Sequence, residues 1–232
     1  MSATALLCLP FAGAGASFYR PWTRLAGEGL TVLPVQLPGR ERLIDEPPYQ
    51  DVASATEGLL VQARRLLGDT TRVALFGHSL GAVLAYELAH RLAAEPGLAV
   101  VRLFASGSPA PANQRQHRAT GLSDEDFLQR VEEFAGYRHE ALEDEEMREM
   151  ILPTLRADVA MHENYVPTTD TPLPAPITAV RGLADTLVST EEAAGWGKVT
   201  TVDFDLHEVP GGHMYLTGSA PALLDHIRTA VR

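Results

Sequence analysis

The sequence predicts an α/β fold: a mostly parallel central sheet flanked by helices, with a helical insertion. Three observations predict it. From Ala5 to Ser106, short apolar runs alternate with helical stretches, the rhythm of a parallel sheet wrapped by helices. One of those runs, Val73 to Phe76, ends in Gly77-His78-Ser79-Leu80-Gly81 and continues as an apolar-striped helix to His90, a strand, a sharp turn and a helix. The rhythm then stops. Asn113 to Tyr165 offers no strand, and it is too long for a single crossover helix. It reads as a helical lid of about residues 113–165 inserted over the C-terminal edge of the sheet.

The elements follow in order. Ala5 to Phe11 reads as a buried strand running into the small-residue loop Ala12-Gly-Ala-Gly-Ala-Ser17. Phe18 to Leu25 reads as a helix with Ser17 at its N-cap. Leu30 to Gln36 is the second strand, and Val52 to Leu67 has helical spacing, closed by Gly68. Ala99 to Ser106 is a fourth strand. Within the lid, Ser123-Asp-Glu-Asp126 starts a helix to Phe134 in the manner of a capping box. Glu143 to Met161 is a second helical stretch, expected to break at Pro153. Ile177 to Arg181 and Thr200 to Val209 are the last strands, and Pro221 to Val231 is a closing helix. With no repeat or linker, residues 1–232 read as one domain.

Composition excludes several classes. Of 232 residues, 19 are Lys or Arg and 30 are Asp or Glu, a net charge of −11. That argues against nucleic acid and against anionic membrane surfaces. The single cysteine, Cys8, permits no disulfide within the chain, which favours a reducing compartment. The N-terminus lacks a basic signal region, and no apolar run reaches the ~20 residues of a membrane span. The expected location is the cytoplasm. No metal site is expected, since there is no His-Glu-x-x-His and no Cys/His cluster. Gly13-Ala-Gly15 fails the dinucleotide spacing at Phe18 and lacks a Walker lysine.

The chemistry centres on Ser79. Gly77 and Gly81 flank it because a Cβ at either place would collide in so tight a turn. The helix behind it offers free N–H groups to a developing oxyanion. Leu80 N–H is the first expected donor. The loop after an early strand carries the second, and Ala12 is the candidate. A Ser hydroxyl needs a base and a group to orient that base. In the α/β-hydrolase arrangement these follow in the order Ser, Asp or Glu, His, each at a strand end. Asp185 lies just past strand 177–181, and His213 lies in the Gly-Gly-His loop past strand 200–209. The competitors fit less well. His78 is expected to point away from the Ser. His90 and His226 fall on helices, and His207 in a strand. His117, His139, His162 and Asp158 belong to the lid.

With these residues placed, the chain resembles the type II thioesterases that accompany polyketide synthases and non-ribosomal peptide synthetases. The resemblance rests on Pro10-Phe-Ala-Gly-Ala-Gly-Ala-Ser17, Gln36-Leu-Pro-Gly-Arg-Glu-Arg42, Asp45-Glu-Pro-Pro48, Gly77-His-Ser-Leu-Gly81, Leu155-Arg-Ala-Asp158 and Pro210-Gly-Gly-His213. Two departures are visible: Ala184 stands where the family often has a first Asp, and Leu80 where it often has Met. The resemblance implies a serine thioesterase that hydrolyses acyl groups stranded on the phosphopantetheine arm of carrier proteins, restoring blocked synthases. It implies no cofactor beyond the phosphopantetheine that the substrate carries, acyl or peptidyl carrier domains as partners, and a monomer. Docking of acidic carriers would need a basic patch, for which Arg20, Arg24, Arg40, Arg42, Arg115, His117 and Arg118 are candidates. A carboxylesterase or lipase, an acyltransferase and an inactive binding module on the same fold remain open alternatives.

Overall fold

The computed structural model describes residues 3–113, 118–135, 142 and 144–232. Among the described residues, six strands form one sheet in which every pair is parallel. They are β1 (Thr4–Leu9), β2 (Leu30–Pro34), β3 (Arg72–His78), β4 (Ala99–Ser106), β5 (Ile177–Gly182) and β6 (Phe204–Val209). Their order is β2-β1-β3-β4-β5-β6. The direction of winding reverses at β1, so a crevice opens between the C-terminal ends of β1 and β3. In open α/β sheets that is where ligands bind. The registers bring the functional ends level: Leu9 sits beside Gly77, His78 beside Ser106, and Gly182 beside Val209.

The strands are buried on both faces, as parallel strands must be. In β1 the alternation is direct. Leu7 and Leu9 join Leu59, Leu75, Leu84, Leu88 and Trp196 in one core, beneath α2 (Val52–Leu67), α3 (Leu80–Ala93) and α6 (Thr190–Ala194). Leu6 and Cys8 join Trp22, Phe76, Phe104, Leu223 and Ile227 in the other, covered by α1 (Arg20–Leu25) and α7 (Ala220–Ala230).

Between β4 and β5 lie α4 (Asp124–Ala135) and α5 (Glu145–Glu163), and no strand occurs among the described residues there. These helices build a third, smaller core from Phe127, Leu128, Leu152, Leu155 and Val159, against which Ala12 of the β1 loop packs. His139 lies outside the described residues.

Three local expectations are corrected. Ser17 does not cap a helix. A 3₁₀ turn spans Ala16–Tyr19 ahead of α1, its N-cap is Gly15, and the Ser17 hydroxyl is bonded to Glu41 instead. Pro153 does not interrupt α5, which is continuous from Glu145 to Glu163. Pro153 and Glu149, whose carbonyl loses its helical partner, are both exposed, so solvent can satisfy the orphaned oxygen. The second and sixth strands are also shorter than their apolar runs: the Gln36 backbone exchanges bonds with the Gln62 side chain, and Thr200 pairs with Leu173 ahead of β5 instead of with β5 itself.

Candidate active site

Ser79 sits between β3 and α3 with φ 53° and ψ −116°, a left-handed conformation that a side chain adopts at a cost of ~1–3 kcal/mol. Sterics leave the flanking residues no choice. A Cβ on Gly77 would lie 1.9 Å from the Gly81 carbonyl oxygen, and one on Gly81 would lie 2.4 Å from the Leu9 carbonyl oxygen. The Ser79 N–H donates to the Ser106 carbonyl at 2.8 Å, which ties the turn to β4. Leu80 is the first residue of α3, so its N–H has no acceptor within the helix.

The loops after β5 and β6 are laced together. Leu183 N–H donates to the Val209 carbonyl and Ala184 N–H to the Gly211 carbonyl. A Cβ on Gly182 would lie 2.4 Å from the Gly212 carbonyl oxygen, so only glycine lets the two loops approach. Buried Arg181 braces the first loop by donating to the carbonyls of Asp185 and Val188. This lacing brings His213 Nδ1 to 2.9 Å from Asp185 Oδ2. The other carboxylate oxygen accepts from the N–H groups of Leu187 and Val188. Burial pushes the Asp185 pKa up, but the hydrogen bond and charge of His213 and the two backbone bonds outweigh it, leaving the carboxyl below its ordinary range. A carboxylate only accepts, so Nδ1 carries a proton, and in the neutral imidazole Nε2 is the nitrogen left with the lone pair.

Ser79, Ala12 and His213 line one cavity of about 590 Å³. Its walls are mostly apolar, with Phe11, Phe18, Leu128, Val131, Ile151 and Met214 among them. Ile44, Met147 and Met150, which also line it, are exposed. The structure thus places Ser79, His213 and Ala12 on the same space and Asp185 behind the imidazole.

Two features were not foreseen. His78 packs beneath the turn: its ring centroid lies 4.9 Å from that of His213, and its Nδ1 is 2.8 Å from the Ser106 hydroxyl, which meets the Tyr215 hydroxyl at 2.5 Å. The second is an ion pair. Arg40 is no docking cation. It is 8% exposed and donates to both oxygens of Asp158, itself 1% exposed, at 2.5 and 2.8 Å. Both residues stand inside segments that carried the family resemblance, but nothing local tells Arg40 that its partner lies 118 residues away. Of the other docking candidates, Arg20, Arg24, Arg42 and Arg118 are exposed. Arg115 and His117 lie outside the described residues.

Among the described residues, no group of three His, Cys, Asp or Glu is placed to hold a metal ion. No helix among them is long and apolar enough to cross a membrane.

Residues 4–231 match the thioesterase domain family. Gramicidin S biosynthesis protein GrsT of Aneurinibacillus migulanus is 32% identical, over 98% of this chain and 88% of its own length. Among solved structures, the type II thioesterase BorB from the borrelidin biosynthetic cluster superposes with a TM-score of 0.85 at 34% identity, covering 99% of this chain and 92% of BorB. YbtT, a type II thioesterase from the yersiniabactin NRPS/PKS biosynthetic pathway, gives 0.86 at 28% identity, over 99% and 93%.

Proposed function

The chain belongs to the thioesterase family, and on that premise we propose that it is an editing serine hydrolase. It clears acyl groups from the phosphopantetheine arm of carrier domains in a peptide or polyketide synthase. The observation that carries this reading is the His213–Asp185 pair at 2.9 Å, with the imidazole opening on the cavity that Ser79 also lines. Ser79 attacks the thioester carbonyl while His213 Nε2 takes its proton. Asp185 holds the ring and stabilises the imidazolium. The N–H groups of Ala12 and Leu80 receive the oxyanion. The imidazolium protonates the departing thiolate, and the freed base then takes a proton from the water that attacks the acyl-Ser79 ester and returns it to the Ser79 oxygen. The chemistry needs no protein-bound cofactor.

The apolar cavity suits the acyl chain, and the helices α4 and α5 over it act as its lid. The enzyme works as a cytoplasmic monomer. Carrier docking draws on Arg20, Arg24 and Arg42, which are exposed. Relatives named for gramicidin S, borrelidin and yersiniabactin biosynthesis support the pathway class.

A panel of acyl-loaded carrier proteins tests the proposal. Hydrolysis of the thioesters, with a much smaller kcat/KM on oxygen esters of the same acyl groups, is the expected result. Preference for the oxygen ester would make the protein a carboxylesterase, and acyl transfer to an added acceptor would make it an acyltransferase. Charge reversal at Arg20, Arg24 and Arg42 together raises KM for acyl-carrier substrate and spares a small thioester. Equal effects on both would remove the docking assignment.

A further inference from the structure

We infer that Asp158, carried on α5, is a positioning residue for the oxyanion donors, so that seating the helical insertion and assembling the oxyanion hole are one event. The inference rests on the reading of Ala12 as a donor. The Ala12 N–H belongs to the same planar peptide unit as the Phe11 carbonyl, and the two point in opposite directions. Whatever fixes that carbonyl therefore aims that N–H.

The carbonyl is fixed by a turn. Ala14 N–H donates to it at 3.0 Å. Within that turn, the Gly13 N–H donates to Asp158 Oδ2 at 2.8 Å, and the Ala14 carbonyl accepts from Arg40 at 3.1 Å. Arg40 is in turn held by both oxygens of Asp158. One carboxylate on the insertion thus holds the turn twice, directly and through the guanidinium.

Other contacts point the same way. Thr154, one helical turn earlier on α5, donates to the Gly39 carbonyl at 2.9 Å. A Cβ on Gly13 would lie 3.0 Å from Leu155. Glu41, next to Arg40, is at φ 52°, a conformation uncommon outside glycine. Its carboxylate accepts from Ser17 N–H at 3.0 Å, closing the far end of the same loop. If α5 lifts, the Gly13 N–H loses its acceptor, Arg40 loses its charge partner, and the turn that aims Ala12 is released. A thioesterase so built catalyses only with the insertion seated over the substrate.

Two variants test this. Asp158→Asn keeps an oxygen acceptor for Gly13 but not the charge. Asp158→Leu with Arg40→Met removes the acceptor while filling the volume, the kind of replacement that buried ion pairs tolerate. Each is assayed on a carrier-free acyl thioester, with sites counted by end-point fluorophosphonate labelling of Ser79. Each is also titrated with an alkyl boronic acid, whose tetrahedral adduct occupies the oxyanion hole. The double variant is expected to lose about 100-fold in kcat, the scale of one lost oxyanion donor, with KM within about twofold, the pattern of an interaction made only in the transition state. Boronate affinity should fall in parallel, and Asp158→Asn should recover much of both.

Unchanged kcat and boronate affinity in the double variant would overturn the inference. So would equal losses in the two variants, or a loss confined to KM. Should a variant not fold, hydrogen exchange on the unaltered enzyme decides. The Gly13 amide and the α5 amides around Asp158, residues 154–162, are expected to open with one free energy, and independent opening sinks the coupling. Failure of the parent reading looks different: Ser79→Ala would then turn over undiminished.

Discussion

The two walls of the active cavity are held by different means. On the strand side, Ser79 and His213 are fixed by backbone. Gly77, Gly81 and Gly182 sit where any Cβ would strike a carbonyl oxygen within 2.4 Å, and main-chain bonds lace the loops that bear Asp185 and His213. On the insertion side, α5 meets the Ala12–Ser17 loop through the side chains of Asp158 and Leu155, Arg40 bridges Asp158 to Ala14, and Thr154 holds the neighbouring Gly39 carbonyl. Backbone sterics admit one arrangement. A side-chain clasp can part and re-form. The proposed catalytic groups therefore sit on the wall that backbone sterics lock, and the proposed donor loop is shared with the wall held by the side-chain clasp.

The strand side breaks hardest. Ser79→Ala is expected to lower kcat by about 10⁶-fold, the scale seen when a triad nucleophile is removed; turnover within tenfold of the unaltered enzyme would exclude the acyl-Ser79 route. Asp185→Asn comes next, at about 10⁴-fold, because an amide can donate to Nδ1 and leave the wrong tautomer facing Ser79. Rates at saturating acyl thioester check both. On the insertion side the largest effect falls on stability. Asp158→Ala strands Arg40 as an unpaired buried cation, worth about 3–5 kcal/mol, read from the urea midpoint at constant slope. Adding Arg40→Met should restore most of it. A strand-side residue has no such second-site rescue, and that contrast is the sharper test of the comparison.

The acid limb tests the strand side alone. Asp185 has a folded pKa below its ordinary 3.8. A depressed folded pKa contributes stability that is fully present above the unfolded value and lost as pH falls through the folded one. Below about pH 4 the urea midpoint should therefore drop more steeply for the unaltered enzyme than for Asp185→Asn, which has no proton to bind there. Identical acid limbs would mean that the His213 bond does not hold the carboxylate in solution.

What could be read from the chain follows the same division. Strands and helices up to Ser106 were legible because each is a local pattern, and α2 and β4 match their predicted bounds residue for residue. The Ser79 elbow was legible because its glycines are demanded within five residues. Asp185 and His213 were legible as strand-end positions in an expected order. Arg40 was misjudged as a surface cation, since a charged residue declares burial only through a partner, and that partner lies across the molecule. The partners of His78 were not legible because the elbow fixes where Ser79 points, whereas what lies beneath the turn depends on Ser106 and Tyr215. Pro153 misled because a local rule about helices gave way to exposure on one side of α5.

The smallest expected effect isolates the insertion's local order from its seating. Asp144 caps α5, its carboxylate accepting from the Met147 N–H at 2.9 Å. Asp144→Ala removes that cap at a cost of about 1 kcal/mol, which speeds exchange of the Arg148 amide, bonded to the Asp144 main-chain carbonyl, by roughly fivefold if it opens with the first turn. Asp158 lies nearly four helical turns farther on, so the Gly13 amide should exchange as before and kcat should not change. If fraying that distant end also loosens Gly13, then α5 moves as a rigid bar and its cap, no less than its carboxylate, governs how firmly the donor loop is held.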